Sequence, residues 1–163
     1  MRRIGVVTCL LGGLLLGQTA MADMADDCEQ TEDWYLKIQG CTQVIDSGEW
    51  SGSALSWAYS NRALAYQHLG DNNRALAEID QALELEPTAY QTLNIRGNLR
   101  ARLGNTDGAD RDWTRSFELG GADYVRTFQD WLKYHGYFSG PIDGVYGRAM
   151  RDAMFACSKD LDC

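Results

Sequence analysis

Between Ser56 and Gly121 the chain matches itself at an offset of 34 residues. Leu69-Gly70 returns as Leu103-Gly104, Ala75 as Ala109, and Glu84-Leu85 as Glu118-Leu119. Arg62-Ala63 is answered by Arg96-Gly97, Ile79 by Trp113 and Ala82 by Ser116. A chain that repeats at this spacing builds one supersecondary unit and stacks the next upon it, so the period constrains the fold more than any composition does. The apolar spacing inside each unit is helical. Tyr59, Ala63 and Tyr66 fall on one face of a first helix, and Ala75, Ile79 and Ala82 form a stripe on a second running from about Asn72 to Leu85. Gly70 suits the left-handed cap between them, and Pro87 forbids continuation.

The second unit repeats the plan with Leu93 and Gly97, a stop at Gly104, then Ala109, Trp113 and Ser116. It departs in two places: Arg100 fills the slot of Tyr66, and Gly120-Gly121 replaces the terminal proline. The period and the alternation of small and large residues resemble the tetratricopeptide repeat, with units at 56–87 and 90–121. Upstream, Trp34, Ile38, Cys41 and Ile45 share one face of a helix over about 32–46, which reads as the second half of a unit (31–46) whose first helix is absent. The run from Gly40 to Gly48, leading to Ala58-Tyr59-Ser60-Asn61-Arg62-Ala63, resembles the opening of small secreted tetratricopeptide proteins of Gram-negative bacteria. The resemblance covers 28–121 and implies an all-α helical-hairpin solenoid.

The N-terminus predicts export. Arg2 and Arg3 precede an apolar run from Ile4 to Leu16, and Ala20 and Ala22 complete a small-residue cleavage pattern, so residues 1–22 read as a signal peptide. That run is about 13 residues, against roughly 20 for a membrane span. Periplasmic residence and no integral membrane segment after cleavage follow. The remaining chain carries 13 basic against 23 acidic side chains, which argues against nucleic acid as a partner. Cys28, Cys41, Cys157 and Cys163 remain in an oxidising compartment, and four cysteines allow three pairings. Proximity favours Cys28 with Cys41 and Cys157 with Cys163. The first pair requires Cys28 to lie outside the helix and fold back along it, since 13 helical residues span about 20 Å. No histidine lies near either pair, so no metal site is expected.

A third repeat fails after Gly121, where Trp131 would occupy a small-residue slot and Phe138 the glycine slot. Tyr124 to His135 reads as a helix, a turn-rich run from Gly136 to Gly147 follows, and a last helix from about Arg148 to Ser158 turns Ala149 and Ala153 inward. Phe128-Gln129 with Leu132, Gly136-Tyr137-Phe138, Gly140-Pro141-Ile142-Asp143-Gly144 and Tyr146-Gly147 resemble the peptidoglycan-binding domain appended to cell-wall hydrolases. The segment 122–163 departs from that family at Met150 and at Cys157-Ser158, and it stops before the family's last helix. Asp143-Gly144 reads as a structural turn.

No catalytic signature or cofactor motif stands out: His68 and His135 lie on different elements, and the carboxylates are expected on exposed faces. The expectation is a non-catalytic adaptor. Trp57, Asn61, Gln67 and His68 from one unit and Asn94, Asn98 and Arg102 from the next would line an exposed surface for a protein or peptide. Tyr137, Phe138, Tyr146 and Arg148 would meet peptidoglycan. Two other roles compete: a structural protein whose last helices cap the solenoid or mediate self-association into a homo-oligomer, and an accessory subunit of a wall hydrolase.

Overall fold

The computed structural model describes residues 23–30 and 32–160, and among these it contains seven helices and no strand. Residues 23–29 form α1, followed by α2 (Trp34–Ser47), α3 (Gly52–His68), α4 (Asn72–Leu85), α5 (Tyr90–Arg102), α6 (Thr106–Tyr134) and α7 (Arg148–Cys157). The segment expected to be a signal peptide, 1–22, and Cys163, with the expected Cys157–Cys163 pairing, lie outside the described residues.

The repeat is reproduced down to its caps. Gly70 and Gly104 take φ of 80° and 81°, the left-handed region that glycine enters without a Cβ penalty. Asp71 N–H donates to the Tyr66 carbonyl, and Asn105 N–H to the Arg100 carbonyl, closing the same turn 34 residues later. The side chains of Asp71 and Asn105 then accept from the N–H groups of Arg74 and Gly108, which starts α4 and α6. Ala63, Ala75 and Ile79 are fully buried where α3 meets α4, and Leu93 and Leu99 of α5 join them in one core.

One boundary differs from expectation. The missing first helix of the half repeat is supplied by α1, which folds back on α2 through a Cys28–Cys41 disulfide with Cα atoms 4.5 Å apart. Gly40 permits that approach, since a Cβ there would stand 2.6 Å from the backbone nitrogen of Cys28. At the other end, the expected break falls at Gly121. Gly121 adopts φ 77° and ψ 178°, so the fourth helix of the repeats and the first of the C-terminal segment join at a kink within α6. One core crosses that kink: Ala109, Trp113 and Phe117 pack with Val125, Leu132, Phe138, Met150, Ala153, Met154 and Cys157. Within α7 the inward face is Met150, Ala153, Met154 and Cys157, and Ala149 is exposed. The departure from the family's residue at Met150 is therefore a packing residue, which moves the apolar stripe one position along.

Candidate binding surfaces

The seven residues expected to line the repeat face do not form one surface. Trp57 does stand at an open groove, shared with Ser53, Ser60, Tyr90 and Gln91 where α3 meets the start of α5. Its ring lies 6.3 Å from that of Trp50. Asn61 instead accepts a 2.8 Å hydrogen bond from Lys37 Nζ, which also donates to the Glu29 carbonyl and so ties α1, α2 and α3 together. Lys37 is almost wholly buried, and burial holds its pKa below the usual lysine value. His68 is exposed, with its ring stacked on Trp34 at 3.9 Å.

Gln67, Asn94 and Asn98 are buried rather than exposed. The reason is visible at Asn98, whose Oδ1 accepts 2.9 Å from the indole N–H of Trp113. Trp113 replaces the Ile79 of the first hairpin. It fits because Gly97 replaces Ala63: a Cβ at position 97 would lie 2.5 Å from the indole. The enlarged ring then meets Phe155 of α7 edge-on at 4.8 Å. Arg102 also turns to α7, donating from Nε to the Ser158 carbonyl at 2.9 Å and from Nη2 to the Asp160 carbonyl. A cation at a helix C-terminus complements its dipole. Asn98 is thus taken up inside the second hairpin, and Arg102 by the C-terminal segment.

The expectation that carboxylates are exposed fails at Asp112. This buried side chain accepts from Arg96 at 2.8 Å and from Arg100 at 2.7 Å. Arg62 and Glu78 make the matching pair in the first hairpin, also at 2.8 Å. The 34-residue offset links both members of the two pairs, so the repeat itself carried the signal that would have found them. Arg100, at the slot of Tyr66, is explained by the second contact it makes to Asp112. A further exchange joins the helices of each hairpin: Ser56 Oγ donates to the Ala82 carbonyl, whereas at the matching slots Ser116 Oγ donates to the Tyr90 carbonyl.

In the C-terminal segment Gln129 organises the loop before α7. Its amide donates to Asp143 Oδ1 at 2.8 Å and to the Val145 carbonyl at 3.1 Å, and its Oε1 accepts from Gly144 N–H at 2.9 Å. Asp143 accepts in turn from Val145 N–H, and these bonds, Gln129's first, hold its carboxyl below the usual carboxylate range. Gly144 has φ 78°, and a Cβ there would crowd the Ala122 carbonyl. The expected structural role of the Asp143-Gly144 turn follows from these bonds.

The four residues expected to contact the wall divide. Phe138 is buried against Gly140, where an added Cβ would strike its ring. Tyr146 packs 4.9 Å from Phe117 and donates to Asp110 Oδ1 at 3.0 Å, and burial pushes its hydroxyl pKa up. Tyr137 is half-buried with its hydroxyl on Asp160. Of the four, Arg148 alone is exposed, as are Ile142 and Val145 of the loop. Among the described residues no group of three or more metal-ligating side chains gathers, and no helix is long and apolar enough to cross a membrane.

Two family models match the chain. Residues 56–89 match the tetratricopeptide repeat, and residues 121–154 match the putative peptidoglycan binding domain. No curated protein matches the chain, and no solved structure does.

Proposed function

We propose that the chain is a non-catalytic adaptor of the periplasm, exported by residues 1–22, whose C-terminal segment holds peptidoglycan and whose repeats hold a protein or peptide. The observation that carries this reading is the loop held by Gln129, inside the stretch that matches a putative peptidoglycan binding domain. Three hydrogen bonds from one buried amide fix the loop's shape. Fixed loops bind with little ordering cost. Ile142 and Val145 are exposed apolar residues of the loop, and exposed Arg148, which opens α7, supplies a cation for the carboxylates of stem peptides. The protein partner enters at the Trp57 groove, because Asn98 is spent on Trp113 and Arg102 on the end of α7.

Sedimentation with purified peptidoglycan tests the wall half. The full chain is expected in the pellet, and Val145→Asp combined with Arg148→Glu, both exposed, is expected to lower the bound fraction about tenfold without unfolding. A full chain that stays in the supernatant overturns the reading. A second role, a helical cap on the solenoid, is favoured by the Trp113–Phe155 contact and by Arg102 on the end of α7. It accounts for the shared core but gives the exposed side of the loop nothing to do.

A further inference from the structure

The last turn of α6 carries three rings at i, i+3 and i+4: Trp131, Tyr134 and His135. Trp131 is half-buried and packs against the C-terminal core, which anchors the set. His135 stacks on it with centroids 4.0 Å apart, and its Nδ1 sits 2.8 Å from the Trp131 carbonyl. Tyr134 meets His135 edge-on at 5.0 Å, and its own side chain is 87% exposed. Gly136, at φ 82°, ends the helix there, and Lys133 reaches back to the Gly140 carbonyl, joining the helix end to the loop. Trp131 and His135 are therefore held at the helix end, while Tyr134 stands almost wholly in water.

Tyr134 does nothing for the core, since nearly all of it lies in water. The other exposed side chains on the last two turns, Asp130 and Lys133, are charged, so the rings form a narrow ridge and not the centre of a broad apolar patch. A pyranose suits that shape. One face of the sugar presents C–H groups to the electron-rich ring face, while its rim of hydroxyls stays hydrated or meets the flanking charges. A tyrosine has only two side-chain torsions to fix on binding, so ordering it costs little.

We propose that Trp131, Tyr134 and His135 form a saccharide-stacking platform that takes the amino-sugar strand of peptidoglycan, Tyr134 being the residue that touches it. This rests on the wall-binding reading above and deepens it: the glycan lies on the end of α6, and the stem peptides face the Arg148 side of the loop. Occupancy by a glycan is argued from the match of 121–154 to a putative peptidoglycan binding domain and from the isolation of the ring ridge among charged neighbours.

The test uses the full chain, Tyr134→Ala and Tyr134→Phe, titrated with the β-1,4-linked tetramer of N-acetylglucosamine while tryptophan fluorescence is followed, alongside sedimentation with purified peptidoglycan. Tyr134→Ala is expected to raise the apparent Kd for the tetramer about tenfold and to lower the pelleted fraction. Tyr134→Phe should bind as the parent does, because the ring face and not the hydroxyl makes the contact. All three proteins should melt together. If the parent pellets with peptidoglycan but ignores the tetramer, or if Tyr134→Ala matches the parent in both assays, the platform is overturned and wall binding stands. If the parent binds the tetramer through Tyr134 yet does not pellet, peptidoglycan is the wrong occupant, and both the platform as proposed and the wall reading are overturned. A parent that binds neither ligand but self-associates through Tyr134 in sedimentation velocity overturns the platform in favour of a protein contact.

Discussion

The two hairpins are built on one plan and differ where the second has a neighbour that the first lacks. In α3–α4 the contact is Ala63 against Ile79; in α5–α6 it is Gly97 against Trp113. The volume lost at one position is regained at the other, and the larger ring reaches Phe155 of α7 and hydrogen-bonds Asn98. The ion pair follows the same logic. Glu78 serves Arg62, whereas Asp112 serves both Arg96 and Arg100. A repeat can thus keep its backbone and its caps while its packing slots are rewritten to receive another segment.

The largest effect is expected from Trp113→Ala. It empties a fully buried indole site, detaches Phe155 and strands Asn98, and should cost about 3–5 kcal/mol in urea unfolding. Ile79→Ala in the first hairpin should cost less, about 2–4 kcal/mol, having no polar bond to break. Equal losses would mean that Trp113 is merely a larger isoleucine. Next comes the carboxylate pair: Asp112→Ala should cost about 3 kcal/mol and exceed Glu78→Ala, because it leaves two arginines without their buried partner. The reverse order would break the comparison.

Gly97→Ala sharpens it further. The new Cβ would stand 2.5 Å from Trp113, at a cost of about 1–3 kcal/mol. Gly97→Ala with Trp113→Ile restores the first hairpin's pair, so the double variant should lose less than the two single losses added together. Simple additivity would show that the two slots are not coupled.

The smallest effect is local and depends on pH. The folded carboxyl of Asp143 is held below its ordinary value by Gln129 and Val145, so its contribution is present above the unfolded value, near ~3.9, and is lost as pH falls through the folded one. Amide signals of Gly144 and Val145 should stay sharp at neutral pH and broaden only once the pH has fallen below the ordinary carboxylate pKa, ahead of those in α3 and α4.

Much of the fold was legible because it is periodic. The 34-residue offset marks the hairpins, the glycine caps at 70 and 104, and the small residues at the helix contacts, and the family models match within the two regions the motifs indicated. Surface assignment was less legible. Asn94, Asn98 and Arg102 read as groove residues because periodicity places them on the first helix's open face, but Asn94 and Asn98 are buried, and no local signal says that Arg102 will turn to the end of a later helix. Trp113 was the available clue, since an indole in an isoleucine slot must find extra room. Tyr146 and Phe138 misled for the related reason that a loop aromatic reads the same whether it faces out or in. Tyr134, by contrast, lay on a helix whose apolar face was already assigned, and only its exposure in the structure sets it apart.

The central structural claim is that the C-terminal segment and the second hairpin are one body, with the first hairpin the more independent. Amide hydrogen exchange on the full chain and on a chain ending at Gly120 addresses this most directly. Without the segment, α5 and the part of α6 before the kink should lose protection by roughly a hundredfold or more, while α3 and α4 keep most of theirs. Unchanged protection in α5 and α6 would contradict the account, making the second hairpin self-sufficient and the C-terminal segment a separate appendage.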